Sequence, residues 1–169
     1  EYNDDGYAIE TRHANNADRL QVKYEENSRT LTNTLGKETI YHFTKNDGAN
    51  LISSIEGVAS ANCAGSNSSY TYDNNGFEDK VTDRNGNVTD YDYNDTGQIE
   101  TITEAFSTAQ SRTLAYTWNS DFNLPSEISG PDVTINFTYD EQGQLLKRKE
   151  SNTNDLTQFK SITYTYGSY

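Results

Sequence analysis

Two histidines, one cysteine and a scatter of carboxylates are the residues on which catalysis would have to rest. A Ser-His-Asp arrangement would use His13 or His42. His42 lies between Tyr41 and Phe43, so on a strand it faces away from that aromatic pair, and no G-x-S-x-G elbow occurs. Paired carboxylates could serve glycoside hydrolysis, but with 26 Asp and Glu in 169 residues close pairs arise by chance. The single Cys63 excludes an internal disulfide and a Cys-based zinc site, and in N-C-A-G it reads as a small loop residue. Loops such as Asp73-Asn74-Asn75-Gly76 and Asp83-Arg84-Asn85-Gly86-Asn87 look like shortened calcium loops, without the full spacing and terminal Glu of such a site. Asp and Asn favour turns equally well by hydrogen bonding their own backbone. No enzyme and no cofactor are therefore expected, calcium being the one ion these loops would admit. Binding chemistry is carried by the aromatics. Tyr116 and Trp118 form a candidate platform for a sugar ring or a partner surface, with Asn, Asp and Thr as hydrogen-bonding groups.

The elements that must position these residues are short strands. From Tyr70 to Tyr93 the chain opens and closes on aromatic pairs spaced two apart, Tyr70/Tyr72 and Tyr91/Tyr93, with glycine turns at Gly76 and Gly86 between them. Spacing of two places both rings of a pair on one face of a strand, and Asn-Gly between alternating runs is a strong hairpin signal. The stretch reads as strand, turn, strand, turn, strand. Its key aromatic recurs, as Tyr2, Tyr24, Phe43, Tyr72, Tyr93, Trp118, Tyr139 and Tyr166, at intervals of about 20 residues or somewhat more. Gly follows four residues later at Gly6, Gly76, Gly97 and Gly143. Ser28 and Phe122 stand there after Tyr24 and Trp118, which predicts altered turns. Gly130, farther from its aromatic than Gly36 and Gly86 are from theirs, suggests a longer turn.

Between the turns Val81, Thr89, Ile99, Ile102, Leu114, Val133, Ile135, Leu145 and Ile162 sit in β-compatible alternating runs. Ala14 to Val22 is the one segment that would admit a short helix. Residues 57–69, 104–112 and 150–158 are rich in Ser, Thr, Asn and Ala and read as surface loops. If the hairpins stack in register, the aromatic pairs become cross-strand neighbours on one face. No composition break divides the chain, so residues 1–169 read as a single array of about seven units.

Composition fits that reading. Hydrophobic residues are only 32% of the chain, yet 13 are Tyr, which suits half-buried sheet better than a thick core and argues against disorder. A net charge of −13 disfavours nucleic acid and anionic membrane as partners. No apolar run is long enough for a membrane-spanning helix. The chain starts at Glu1 in mid-pattern, as a fragment of a much larger protein would. Asn67, Asn87, Asn94 and Asn136 begin N-x-S/T sequons that read as by-products of Asn- and Thr-rich turns and strands.

Tyr72-Asp73-x-x-Gly76 and Tyr139-Asp140-x-x-Gly143, with Tyr93-Asn94-x-x-Gly97 one substitution away, resemble the signature of the YD-repeat (RHS-repeat) family. The linking element Val81-Thr82-Asp83…Gly86-Asn87…Thr89 and its degenerate copy Leu31-Thr32-Asn33…Gly36…Thr39 resemble the family's connecting strand, and the likeness runs over nearly the whole chain. The resemblance implies an all-β fold of antiparallel hairpins joined side by side in an extended, spiralling strip that forms a hollow shell. Bacterial members include secreted polymorphic toxins and toxin-complex shell proteins, and animal teneurins carry a related barrel. It also implies a scaffold in a secreted or cell-surface protein, with other repeats and an enclosed or displayed C-terminal segment as partners. The alternative is a module that binds glycans or cell-surface proteins through exposed aromatics. Many bacterial members carry a self-cleaving D-P-x-G motif. This chain has no Asp-Pro, so no catalytic residue is carried over.

Overall fold

The computed structural model describes residues 1–59 and 65–167, and Cys63 lies outside them. The described chain is all-β, and each strand pairs antiparallel with its neighbours in sequence within two units, Glu1–Asn87 and Val88–Tyr169. The first unit holds β1 (Glu10–Thr11), β2 (Leu20–Tyr24), β3 (Ser28–Asn33), β4 (Glu38–Asn46), β5 (Ala49–Gly57), β6 (Ser66–Tyr72) and β7 (Glu78–Thr82). The second holds β8 (Val88–Tyr93), β9 (Ile99–Glu104), β10 (Arg112–Trp118), β11 (Pro125–Ser129), β12 (Val133–Tyr139), β13 (Leu145–Asn152) and β14 (Asp155–Thr163).

One local device makes most of the turns. In Asp73-Asn74-Asn75-Gly76-Phe77 the Asp73 N–H donates to the Phe77 carbonyl (2.9 Å) and the Gly76 N–H to the Asp73 carbonyl (3.1 Å). The Asp73 Oδ1 then accepts from the Asn75 and Phe77 N–H groups at 2.9 and 2.8 Å. Asn33, Asp83, Asn94 and Asp140 each repeat that double acceptance. In all five turns the Gly three residues later has φ between +71° and +85°, a region open to Gly at little cost. The acidic or amide residue that opens each turn is there to satisfy backbone donors that the tight reversal would leave open.

Asp83 shows a consequence for stability. The Asn87 side-chain amide donates to Asp83 Oδ2 (2.8 Å), and with the Asn87 and Asn85 N–H groups it holds the carboxyl below its ordinary value. A carboxyl depressed in the folded chain stabilises it above the ordinary Asp range, about pH 4, and that contribution is lost as pH falls through the depressed value. Urea midpoints between pH 5 and 2 are expected to fall more steeply for the wild type than for Asp83→Asn. Coincident pH profiles would show that the turn does not hold the charge.

A second device repeats at the aromatics. The register slips at Phe43, Tyr72, Tyr93, Trp118 and Tyr139, each the last or next-to-last aromatic position before a turn. Each slip is a β-bulge that leaves one extra residue on the partner strand, Ser53, Asp79, Glu100, Ser126 and Leu146 in turn, while the aromatic strand runs on without a break. On its other side the aromatic strand is tied to the strand before it: the Tyr72 hydroxyl donates to the Ile52 carbonyl (2.7 Å), the Trp118 indole N–H to Ile99 (2.8 Å) and the Tyr139 hydroxyl to Pro125 (2.7 Å). Tyr24 and Tyr166 make the same reach to the Ala8 and Leu145 carbonyls. Each such staple ties a strand end to the preceding strand and is worth about 0.5–1.5 kcal/mol.

No apolar side chain among the described residues is fully buried; Ser28, Thr134 and Ser151 are the buried ones. Cover is instead one-sided. Tyr70 and Tyr72, or Leu114, Tyr116 and Trp118, are half-buried, while Thr71, Ala115 and Thr117 between them are exposed. Within each unit, strands contact only the strands before and after them in sequence.

The segment that would admit a short helix, 14–22, forms only a single 3-10 turn over Ala14–Asn16 with Asn15 at φ 60°, before β2 begins at Leu20. Several expectations need correction. Residues 150–158 are not a loop. The hairpin closes at Asn152-Thr153-Asn154-Asp155, and the polar residues around it are strand: β14, exposed from Leu156 to Thr163, pairs along β13 through its backbone. Ser66–Ser69, expected in the loop of residues 57–69, belong to β6 and pair with β5, while residues 60–64 lie outside the description. The loop of 105–111 is present, closed by Arg112 on Glu104 at 2.6 Å. At Gly130 the turn is shorter, not longer: Gly130 N–H donates to the Val133 carbonyl across Pro131-Asp132. Pro131 presets φ for a tight reversal. The Ser28 turn is altered as expected: Glu25 N–H meets the Ser28 carbonyl (3.0 Å) and Ser28 Oγ caps Glu25.

Candidate functional site

The strands place the aromatic pairs on every second strand, so the rings are not each other's cross-strand partners as expected. Tyr70 faces Val81, Tyr91 faces Ile102, Tyr116 faces Ile128, and Phe137 faces Arg148. Tyr93, Trp118 and Tyr139, beyond their bulges, sit against Ile99, Pro125 and Leu145. The cause is geometric: two strands per repeat interpose an aliphatic strand between successive aromatic ones. Aromatic on aliphatic is the stabilising contact of the face.

Each turn of the repeat signature is therefore occupied by its own backbone. Asp73, Asp140 and their glycines Gly76 and Gly143 close hairpins, as does Gly97, and Gly86 makes the same turn. One carboxylate oxygen of each of Asp73 and Asp83, Oδ1, accepts two backbone N–H groups. No group of three or more His, Cys, Asp or Glu among the described residues is arranged to hold a metal. His42 pairs with Ser28 and Ser54 and lies 3.8 Å from Glu56. His13 is exposed at the edge of the 3-10 turn.

One place departs from the pattern and opens a cleft. After Trp118 the glycine is missing. The Asn119 Oδ1 takes the N–H groups of Asp121 and Phe122 (2.8 and 3.0 Å), and Asn119 N–H reaches the Leu124 carbonyl, one residue farther than in the glycine turns. This broader turn stands beside the Asn94–Gln98 turn, and Gln98 Nε2 bridges to Asn123 Oδ1 at 2.7 Å. Asn94 Nδ2 in turn donates to Gln98 Oε1 (2.9 Å). Between the two turns lies an open cleft of about 820 Å³ with Tyr116 and Trp118 among its lining residues. Their rings are nearly parallel, 20° apart with centroids 6.5 Å apart, and the Trp118 staple to Ile99 fixes the indole. Glu100 and Asp121 line the cleft; no Lys, Arg or His does.

Other clusters were not visible beforehand. Arg29 lies over the Tyr24 ring at 4.8 Å and near Phe43 at 5.7 Å, while Tyr7 stacks on Tyr24 at 5.1 Å. Arg29 faces both Tyr24 and Tyr41 in register, so its cation–π role follows from strand pairing rather than from any motif. Glu10, its side chain 7% exposed, takes both Arg19 donors on Oε2 at 2.7 and 2.9 Å, and these hold its carboxyl below the ordinary value. Thr134, Thr153, Ser129 and the Gly130 carbonyl form a polar chain where another fold would bury aliphatics.

Comparison with protein-family models and with curated proteins finds no match. Among solved structures, the chain is similar to a chain in the crystal structure of TcdB2-TccC3-Cdc42, with TM-score 0.58 and 13% identity over 96% of this chain. It is similar also to a chain of the Photorhabdus luminescens Tc holotoxin pore, with TM-score 0.58, 14% identity and the same coverage. In each case it spans about a tenth of the other chain's length. At these identities the likeness is one of fold: all-β, antiparallel and RHS-like.

Proposed function

We propose that the chain is structural: a strip of β-hairpin repeats forming part of the wall of a larger RHS-type shell. The shell belongs to a secreted or cell-surface bacterial protein and encloses or displays a C-terminal segment of that same protein. Its partners are neighbouring repeats and that segment. The observation that carries this reading is the absence of any fully buried apolar side chain among the described residues, with strands that contact only sequence neighbours within each unit. A self-contained catalytic domain gathers two or more layers around an apolar core. A strip stabilised hairpin by hairpin does not, and both of its faces remain available to a larger assembly. The RHS-like fold supports the same reading. Among the described residues no helix is long and apolar enough to cross a membrane.

The test uses the longer protein that carries this strip and the segment downstream of it. Under limited proteolysis the downstream segment is expected to survive while the strip is folded and to be cut once urea has unfolded it. Equal cutting in both conditions overturns the enclosure.

A further inference from the structure

We propose that Asn85 is a site of spontaneous covalent modification, its side-chain amide converted by water to aspartate and isoaspartate through a cyclic imide with Gly86. This goes beyond a wall function, which asks no chemistry of the turn. In the first step the Gly86 backbone nitrogen bonds to the Asn85 Cγ. The Cγ–Nδ2 bond breaks, and the proton from the Gly86 nitrogen leaves with the amide as ammonia. Water then opens the ring at either carbonyl. Opening at Cγ gives aspartate, and opening at the Asn85 main-chain carbonyl gives isoaspartate. Nothing is oxidised or reduced. Glycine favours the attack because no Cβ stands beside the nitrogen.

The sequence holds two Asn-Gly steps, Asn75-Gly76 and Asn85-Gly86, and both asparagines are exposed in the same kind of turn. In each the attacking N–H is engaged, donating to the Asp73 carbonyl at 3.1 Å or the Asp83 carbonyl at 3.0 Å. Attack therefore waits on local opening of the turn, and its rate follows the population of the open form. The two turns differ in what holds them shut. Asn46 Nδ2, from β4, donates to the Asp73 carbonyl at 3.0 Å, and a Cβ at Gly76 would meet Asn46 and Leu51 at 3.9 Å. Among the described residues the Asp83 turn takes its hydrogen bonds from Asn85, Gly86 and Asn87 alone. A Cβ at Gly86 would meet nothing within 4 Å. Lacking the outside hydrogen bond, this turn opens about two- to tenfold more often.

Isoaspartate routes the main chain through Cβ and so inserts one atom before Gly86. The bonds from Gly86 N–H to the Asp83 carbonyl and from Asn87 N–H to Asp83 Oδ1 lie beyond that atom and lose register. The Asn85 N–H lies before it and keeps its place. The new carboxylate also adds a negative charge to a chain already at −13, close to the Asp83 carboxyl. Like charges at short range oppose the closed turn, so the modified turn is looser than the original.

The test is incubation of the whole folded chain at mildly alkaline pH, followed by peptide mapping with mass spectrometry. Deamidation is expected at Asn85 about two- to tenfold faster than at Asn75, with isoaspartate accompanying aspartate as the mark of the imide. In urea the two rates are expected to converge, because both peptides share the Asn-Gly step and neither keeps its turn. Asn46→Ala removes the outside bond from the Asp73 carbonyl, so it is expected to raise the Asn75 rate toward that of Asn85 and leave Asn85 unchanged. The proposal is overturned if Asn85 stays intact in the folded chain while the urea-unfolded chain deamidates. Aspartate formed without isoaspartate also overturns it, since that product bypasses the ring. Equal or faster loss at Asn75 in the folded chain does the same, as the open turn would then confer nothing.

Discussion

Gly143→Ala is expected to destabilise the chain by about 2–5 kcal/mol, whereas Gly86→Ala, with the same backbone conformation, costs about 1–2 kcal/mol. Both glycines lie at left-handed φ, +78° and +82°, so both substitutions carry the steric penalty of a Cβ there. Around Gly86 an added Cβ meets nothing within 4 Å. At Gly143 it would lie 3.1 Å from Phe122 Cδ1 and 3.3 Å from Cε1, inside ordinary contact with a ring held by the Asn119 turn. The difference between the two is therefore the cost of displacing Phe122. Urea denaturation of both variants measures it, and Phe122→Ala combined with Gly143→Ala should recover most of the excess. Equal destabilisation of the two single variants, or no recovery in the double, would remove the Phe122 contact from the account.

That contact marks the limit of what could be read from the residues. Tyr-Asp-x-x-Gly is legible because each letter answers a local demand. The Asp or Asn accepts two N–H groups, the Gly takes positive φ, and the Tyr reaches a carbonyl on the strand before. These are interactions within a few residues or between adjacent strands, and the pattern of types carries them. Phe122 in the glycine's place was legible as a disturbance, and what it does instead was not. Its partner, Gly143, lies in the next glycine turn along the chain, and the amide chain from Asn94 to Asn123 spans two turns. Neither leaves a periodic trace.

The errors have the same origin. Residues 150–158 look like loop because they are polar, but in a sheet lacking an apolar core a polar strand is not penalised. Composition separates strand from loop only where one face must be dry. The aromatic pairs of β6, β8, β10 and β12 lie in strands, whereas Tyr166 lies beyond the end of β14. The pairs are not opposite one another, because each repeat interposes a strand, with Val81, Ile102 or Ile128 facing the ring. Buried Thr134 and Ser151 carry the same lesson, since a chain this poor in aliphatics fills its tightest places with hydroxyls.

Stability in such an array must then come from repeated small contacts, and Tyr139 tests how local they are. Tyr139→Ala is expected to cost about 2–4 kcal/mol, from a half-buried ring lost against Leu145 and a Pro125 carbonyl left without its donor. Tyr139→Phe removes only the hydroxyl and is expected to cost about 1 kcal/mol. Native-state hydrogen exchange should show the loss in β11, β12 and β13 while β8 and β9 keep their protection, as a nearest-neighbour array requires. Uniform loss across the unit would instead mean one cooperative block. The phenol adds an alkaline signature. Burial pushes the Tyr139 hydroxyl above its ordinary 10.0. A group whose folded value is raised stabilises the chain in full below its ordinary value and loses that contribution as pH climbs through the folded one. Wild-type stability should fall beyond pH 10 more steeply than that of Tyr139→Phe, and matching slopes would place the hydroxyl in water rather than on the Pro125 carbonyl.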